Sequence, residues 1–165
     1  MNIGVISDTH DRVDFTREAV EKLKSFDIEI LIHAGDIGEK VCRYLDGLDI
    51  PVIAVFGNTD SAHLLECCSR VNLQKQPYYF TIKNTTFKLM HQPYYLTPDT
   101  DIVIYGHLHK FECQKAKALF LNPGEVCARE KPRIESALLE LESKNVTYIY
   151  KDLENDTWME ERVCA

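Results

Sequence analysis

The stretch NIGVIS (residues 2–7), DTHDRVDFTREAVEKLKSF (8–26) and IEILIHAGD (28–36) decides how the rest of the chain is read. Asn2 to Ser7 is a short apolar run. The period then changes, because Phe15, Ala19, Val20 and Leu23 recur at the spacing of one helix face. IEILIHAGD is apolar again and stops at Gly35 and Asp36, so the order is strand, loop, amphipathic helix, buried strand. PVIAVF (51–56) repeats the pattern after a helix expected over Lys40 to Leu48, whose end is marked by Asp49, Ile50 and Pro51. Three strands joined by helices predict a parallel βαβαβ core with right-handed crossovers, the α/β class.

The second half has a different texture. YYFTI (78–82) and TFKLM (86–90) are separated by Lys83, Asn84 and Thr85, and DIVIYGH (101–107), ALFLN (118–122), ESALLELE (135–142) and VTYIYKDL (146–153) follow. These read as mainly antiparallel strands, forming a second sheet or the far side of a split one. Sheet should pack on sheet with helices outside. No repeat, low-complexity tract or Ser/Gly linker interrupts the chain, so one domain over residues 1–165 is expected.

Composition narrows the function classes. With 165 residues, 45% of them apolar and 27% charged, the chain has the make-up of a globular domain rather than of a disordered one. Asp and Glu number 26 against 19 Lys and Arg, and the net charge of -7 disfavours nonspecific binding to nucleic acid or anionic lipid. No apolar run reaches the roughly 18 residues of a membrane span, and the apolar start breaks at Asp8 without a basic flank or cleavage pattern. A cytoplasmic protein without a membrane partner is expected. Cys42, Cys67, Cys68, Cys113, Cys127 and Cys164 contain no C-x-x-C pair and read as reduced thiols, with a cysteine-ligated zinc as the alternative.

The polar residues that interrupt the apolar strands come directly after them. Asp8 and His10 follow the first strand, Asp36 the second, Asn58 the third, His91 follows TFKLM, and His107 and His109 follow DIVIYG. Loops at the carboxyl ends of parallel strands gather in one place, so these seven residues should converge. Imidazoles, carboxylates and an amide oxygen suit borderline divalent metals such as Mn, Fe, Co, Ni or Zn, and seven are too many for one tetrahedral ion. With Asp36 bridging, two ions would each receive four protein ligands and keep positions for water and substrate, the clamp used for in-line attack at phosphorus. Singly, the elements have plain readings. D-x-H can be a helix cap with a surface His, and G-D is ordinary turn chemistry, as is G-N-T-D opening a helix at Ser61 to Cys67. G-H-L-H is more specific, since two imidazoles at i and i+2 are costly to place without a metal or polar partners. Four of the six histidines fall in the set, which scattered core histidines seldom produce.

SDTH (7–10), HAGD (33–36), GNTD (57–60), His91, GHLH (106–109) and NPG (122–124) resemble the calcineurin-like metallophosphoesterases, most closely their small bacterial and archaeal phosphodiesterases. The resemblance spans nearly the whole chain. It implies a four-layer αββα sandwich, two packed mixed β-sheets flanked by helices, with a two-metal site. It also implies that Asp8, His10, Asp36 and His109 hold one ion and Asp36, Asn58, His91 and His107 the other, the same seven serving as the catalytic set. Mn2+ is the first expectation, with Ni2+, Co2+, Fe2+ or Zn2+ as alternatives.

Four departures from the family pattern stand out. Larger relatives carry a His directly after the Asn of the G-N motif, where this chain has Thr59, so a strong acid for the leaving group is not expected. Asp11 and Gln92 stand where Gly is common, and Glu125 where Ser is frequent; these three should alter the rim and substrate choice without touching a ligand.

The expected activity is hydrolysis of small phosphodiesters by a hydroxide bridging two cations, better on activated aryl diesters than on alkyl monoesters. A non-catalytic protein-binding scaffold of the same fold, like the retromer subunit of the superfamily, stays open, as does a nuclease, against which stand the acidity and the lack of a basic arm. His33 reads as a hydrogen-bonded structural His or a donor behind Asp36, and His63 as a helix-surface His. Arg12 and Lys110 read as exposed cations that could meet a phosphate, and Asn122 as a turn residue or a holder of the loop near the metals. Tyr78, Tyr79, Phe80, Tyr94 and Tyr95 could pack strands, line a binding edge or form a dimer contact, so a homodimer or higher homo-oligomer is the self-partner to consider.

Overall fold

A computed structural model describes residues 1–164. The strands β1 (Asn2–Ile6), β2 (Ile30–His33) and β3 (Val52–Val55) are unbroken apolar runs because both faces of the sheet they build are covered. Helices α1 (Val13–Lys24), α2 (Glu39–Asp46) and α3 (Leu64–Cys67) connect them to one another and to β4 (Asn72–Gln74). All four strands are parallel, with Ile3 opposite Ile30, Leu31 opposite Val52 and Ala54 opposite Leu73.

Side-chain alternation then feeds two cores from each strand. Ile6 and Leu31 join Ala19, Val20 and Leu23 of α1 and Val41 and Leu45 of α2 in the layer beneath the helices. Ile3, Val5 and Ile32 point the other way, against Phe87, Leu89, Ile104 and Leu121 of the second sheet. Each such fully buried Leu, Ile or Phe contributes about 1.5–3 kcal/mol through loss of apolar surface to water.

The second half completes both sheets. β5 (Tyr78–Ile82), β6 (Thr85–Leu89), β7 (Ile102–Ile104), β8 (Phe111–Lys115) and β9 (Leu119–Pro123) form a five-stranded sheet in the order β5-β6-β7-β9-β8. β10 (Arg133–Glu140), β11 (Asn145–Asp152) and β12 (Thr157–Cys164) return to the first sheet, giving β12-β11-β10-β1-β2-β3-β4. Two mixed sheets packed face to face are thus observed, as the sequence leads one to expect, with α1, α2 and α3 flanking the seven-stranded sheet; among the described residues no helix forms the fourth layer that the resemblance implies. The outer face of the five-stranded sheet, with Met90, Val103 and Tyr105, is crossed by the segment after His91. Lys88 tethers that segment by donating its buried Nζ to the carbonyls of Tyr95 (2.6 Å) and Thr97 (3.0 Å) and pairing with Asp99 (2.6 Å).

Several local expectations need correction. β6, β7 and β9 run parallel, and it is β10 to β12, pairing with β1 through β10, that supply most of the antiparallel ladder. The helix expected over Lys40 to Leu48 spans Glu39–Asp46, and the one expected over Ser61 to Cys67 is a single turn, Leu64–Cys67. Four of the cysteines expected as free thiols are paired. Cys42–Cys68 joins α2 to the residue after α3, and Cys113–Cys164 joins β8 to β12, while Cys67 and Cys127 are free and buried. Pairing follows from Cα separations of 6.1 and 6.6 Å across 26 and 51 residues of sequence, a proximity that only tertiary packing creates. The cysteine argument for a reducing compartment therefore lapses. Among the described residues, no helix is long and apolar enough to cross a membrane.

Candidate metal centre

Every loop that leaves the carboxyl end of a parallel strand contributes to one cluster, and backbone bonds lock those loops to each other. Asp8 N–H donates to Gly35 O (3.0 Å), Gly106 N–H to His91 O (3.0 Å), and Val126 and Cys127 N–H to Ser7 and Asp8 O (3.1 Å each). The turns are tight enough that Asp8, His10, Asp36, His107 and His109 all adopt positive φ, between 41° and 69°. Such left-handed conformations in non-glycine residues cost about 1–3 kcal/mol each and persist only where the surroundings impose them. The motif glycines have a steric role beyond turn chemistry. A Cβ on Gly57 would run into the Asp36 carboxylate, and one on Gly35 (φ 95°) would lie 2.7 Å from the His91 ring.

The seven side chains meet. Around one point lie Asp8 Oδ1, His10 Nε2, Asp36 Oδ2 and His109 Nε2, with His109–Asp8 at 3.2 Å, His10–His109 at 3.3 Å, His10–Asp36 at 3.4 Å and His10–Asp8 at 3.8 Å. Around a second lie the same Asp36 Oδ2, Asn58 Oδ1, His91 Nε2 and His107 Nδ1, with His91–Asn58 at 2.9 Å, His107–Asn58 at 3.1 Å, and His91–Asp36 and His107–His91 at 3.2 Å. Metal–ligand bonds of about 2.0–2.2 Å put neighbouring donors roughly 3.0–3.5 Å apart, so both groups have the spacing of a coordination shell.

The chemistry of the donors points the same way. Asp8 Oδ1 is buried and has no hydrogen-bond partner. Its sister Oδ2 is satisfied by the Ser7 hydroxyl (2.6 Å) and the His107 N–H (3.0 Å), so only the atom facing the cluster is orphaned. Asp36 repeats the arrangement, since the Thr59 N–H (3.0 Å) and hydroxyl (2.8 Å) both donate to Oδ1 and leave Oδ2 shared between the two groups. His91 Nδ1 faces Ala34 O at 2.8 Å; a carbonyl only accepts, so the proton sits on Nδ1 and the lone pair of the neutral ring on Nε2. His109 Nδ1 faces Glu125 Oε2 at 2.5 Å, with the same consequence. Lone pairs converging on lone pairs in a buried site repel unless a cation or protons lie between them. The residues therefore fit divalent cations.

Electrostatics follow this geometry. Where protons rather than a cation fill the cluster, burial would raise Asp8 and Asp36, but a protonated His109 with the Ser7 hydroxyl at the first, and a protonated His91 with Thr59 at the second, hold both below the ordinary carboxylate range. Burial lowers His10, assisted by the charge of Arg129, against the pull of Asp36 and Asp8. His91 is raised because Asp36 and Asp8 outweigh its burial. In that protonated, cation-free site His109 is pushed up to about 12 by Asp8, Cys127 and Glu125, so a cation arriving at Nε2 would displace a proton.

The remaining candidates separate cleanly. His33 is fully buried and bonded to Thr9 Oγ1 (3.0 Å) and to the Gly35 N–H (3.1 Å), a structural histidine that burial pushes down to about 3. His63 lies on the surface between Glu39 (3.4 Å) and Glu66 (3.2 Å). Cys67 joins Glu39 and His63 in a second group of potential ligands, but Arg43 already donates to Glu39 (2.9 Å) and to the Cys67 sulfur (3.6 Å). Arg12 is paired with Asp14 and packed over Phe15, and Lys110 is paired with Glu112. Asn122 is buried and donates to Gly106 O (3.0 Å), which fixes the start of the GHLH loop. Asp11 accepts from the first N–H groups of α2, Lys40 (2.7 Å) and Val41 (3.3 Å), and Gln92 accepts from Gln76 (3.1 Å).

Glu125 corrects an expectation. It is fully buried rather than at the rim, and it touches His109. Ser7, Gln76 and Cys127 were not singled out from sequence for the site. Gln76 Oε1 accepts from the N–H groups of His91 (2.7 Å) and Gln92 (2.9 Å), and Cys127 donates to Glu125 (3.3 Å). Gln76 and Cys127 reach the site from loops remote in sequence from the donors they support, so nothing local marks them, whereas Ser7 precedes Asp8 within the SDTH motif itself.

The calcineurin-like phosphoesterase superfamily domain matches residues 1–144. Phosphodiesterase MJ0936 of Methanocaldococcus jannaschii is 29% identical over 141 residues, covering 77% of this chain and 85% of the relative. Among solved structures, the Escherichia coli phosphoesterase YfcE superposes with a TM-score of 0.75 at 20% identity over 99% of both chains. Vps29 of Entamoeba histolytica, complexed with zinc, superposes at 0.70 with 23% identity over 99% of this chain and 98% of its own.

Proposed function

Because the chain belongs to the calcineurin-like phosphoesterase superfamily, we propose that it is a phosphodiesterase with two divalent cations, acting on small soluble phosphodiesters. The observation that supports this most is the position of Asp36 Oδ2, within 3.4 Å of His10 Nε2 and 3.2 Å of His91 Nε2, one oxygen common to two donor groups. Asp8, His10, Asp36 and His109 would hold one cation and Asp36, Asn58, His91 and His107 the other, manganese being the metal to try first. Bound there, divalent ions supply Lewis acidity toward a phosphoryl oxygen and toward the attacking water.

The protein's own groups do the orienting. Asp8 and Asp36 are the only formal negative charges among the seven donors, so a pair of divalent ions leaves the site positive and attractive to an anionic diester despite the net charge of -7. Ser7, Thr59, Ala34 and Glu125 each bond the atom of a donor residue that faces away from the cluster, which aims the other atom inward. Thr59 spends its hydroxyl on Asp36 and offers the leaving group no acid. Departure then depends on solvent for its proton, which favours leaving groups that need none.

The test is a substrate panel of aryl diesters, alkyl monoesters and cyclic nucleotides, run with several metals alongside an Asn58→Ala variant. Aryl diesters should turn over fastest with Mn2+, and the variant should lose the activity. Equal efficiency on a sugar monophosphate would overturn the diester assignment. Failure to bind any metal after manganese soaking would replace the enzyme by a binding scaffold of the same fold.

A further inference from the structure

Behind His109 lies a carboxylate that the reaction itself does not require. Glu125 is fully buried, and each of its oxygens is engaged. Oε2 accepts from His109 Nδ1–H (2.5 Å) and from the Cys127 thiol (3.3 Å), while Oε1 accepts from the N–H groups of Glu130 (2.8 Å) and Lys131 (3.1 Å). The same loop grips His109 a second time, because Lys131 Nζ donates to its carbonyl at 2.5 Å and is itself braced by Glu135 (2.9 Å). Ring and backbone of one donor residue, held at a φ of 52°, are thus fixed from a single segment. Only a carboxylate can face all four donors: an amide would turn its NH2 toward either the ring N–H and thiol or the two backbone N–H groups.

We infer that Glu125 is a positioning residue for the cation at the Asp8–His10–Asp36–His109 end, keeping the proton of His109 on Nδ1 and presenting Nε2 to that cation. It contacts neither the cation nor the substrate. Its carboxylate also strengthens the ring as a donor, as carboxylates behind ligating histidines generally do. The inference rests on the two-cation reading above.

Chelator-stripped wild-type protein and Glu125→Gln are titrated with Mn2+ by calorimetry, and the histidine ring nitrogens of both cation-free proteins are recorded by NMR. Two binding steps are expected for wild type. Glu125→Gln should weaken one of them by about 10–100-fold and leave the other in place, the scale of lost outer partners of a metal ligand. The weakening should vanish in a His109→Ala background, and the His109 nitrogen signals should move while those of His91 stay. Unchanged affinities, or equal weakening of both steps, overturn the inference, as do unmoved His109 signals. Wild type that binds fewer than two ions counts against the two-cation reading instead, while a shift of the His109 signals would still uphold the ring positioning. Should Glu125→Gln not fold, Glu125→Asp, one methylene too short to reach all four donors, is read against the same outcomes.

Discussion

The two ends of the donor cluster are built differently. At one, Asp8 is fully buried, His10 and His109 are nearly so, and Glu125 stands behind with Lys131 and Cys127 around it. At the other, Asn58 and His107 are exposed, and the support is neutral: Ala34 O on the His91 ring and Gln76 on its backbone. One end offers two carboxylates and two imidazoles in a dry setting, the other a shared carboxylate, the buried His91 ring, and an amide and a second imidazole, those of Asn58 and His107, that reach solvent. Charge and burial both favour tighter cation binding at the first end, and exposure favours substrate access at the second. Asp36 belongs to both, so the two cannot be lost independently through it.

The largest effect should therefore come from Asp36→Asn, which removes charge from both ends at once. Manganese content should fall below one per chain and turnover by about 1,000-fold, the upper range for losing a group that stabilises charge at a reacting centre, read by metal analysis and initial rates. Next, adding Mn2+ at about a hundred times its dissociation constant should stabilise the fold by roughly 2.7 kcal/mol. For a chain of this size that is a rise in Tm of about 5–10 °C by calorimetric scan. Asn58→Ala should keep much of the rise and His10→Ala little of it; the reverse pattern would make the exposed end the tighter one. Graded chelation should strip the exposed end first, the two steps separated by at least about tenfold in chelator strength, or 1.4 kcal/mol. The smallest effect is Thr59→Ala, which deletes one hydrogen bond to the shared carboxylate and should cost about 1 kcal/mol, roughly fivefold in affinity, spread over both ends.

How much of this could be read from the chain depends on where each residue sits. The convergence of the seven side chains is legible because each follows an apolar strand, and the parallel order of β1 to β3 and of β6, β7 and β9 carries those strand ends to one place. Interior strands announce themselves by unbroken apolar runs. Edges do not: NLQ, FECQK and TWMEERVC form β4, β8 and β12, three of the four sheet edges, where polar, largely exposed side chains leave no unbroken apolar run to read. Glu125 differs from its expected place at the rim for a related reason. Following NPG it reads as a surface turn, and only the return of β10 beside it, with Glu135 accepting its N–H at 2.9 Å, buries it behind His109. The cysteine pairs depend in the same way on contacts across 26 and 51 residues that no local pattern encodes.

In the proposed site one carboxylate oxygen, Asp36 Oδ2, would be shared by two cations. Anomalous diffraction from a crystal soaked in Mn2+ addresses it directly. Two peaks flanking the Asp36 carboxylate are expected, one beside His10 and His109 and one beside Asn58, His91 and His107. No peak at Asp36, or a single peak with the second manganese at Glu39, His63 and Cys67, would contradict that sharing.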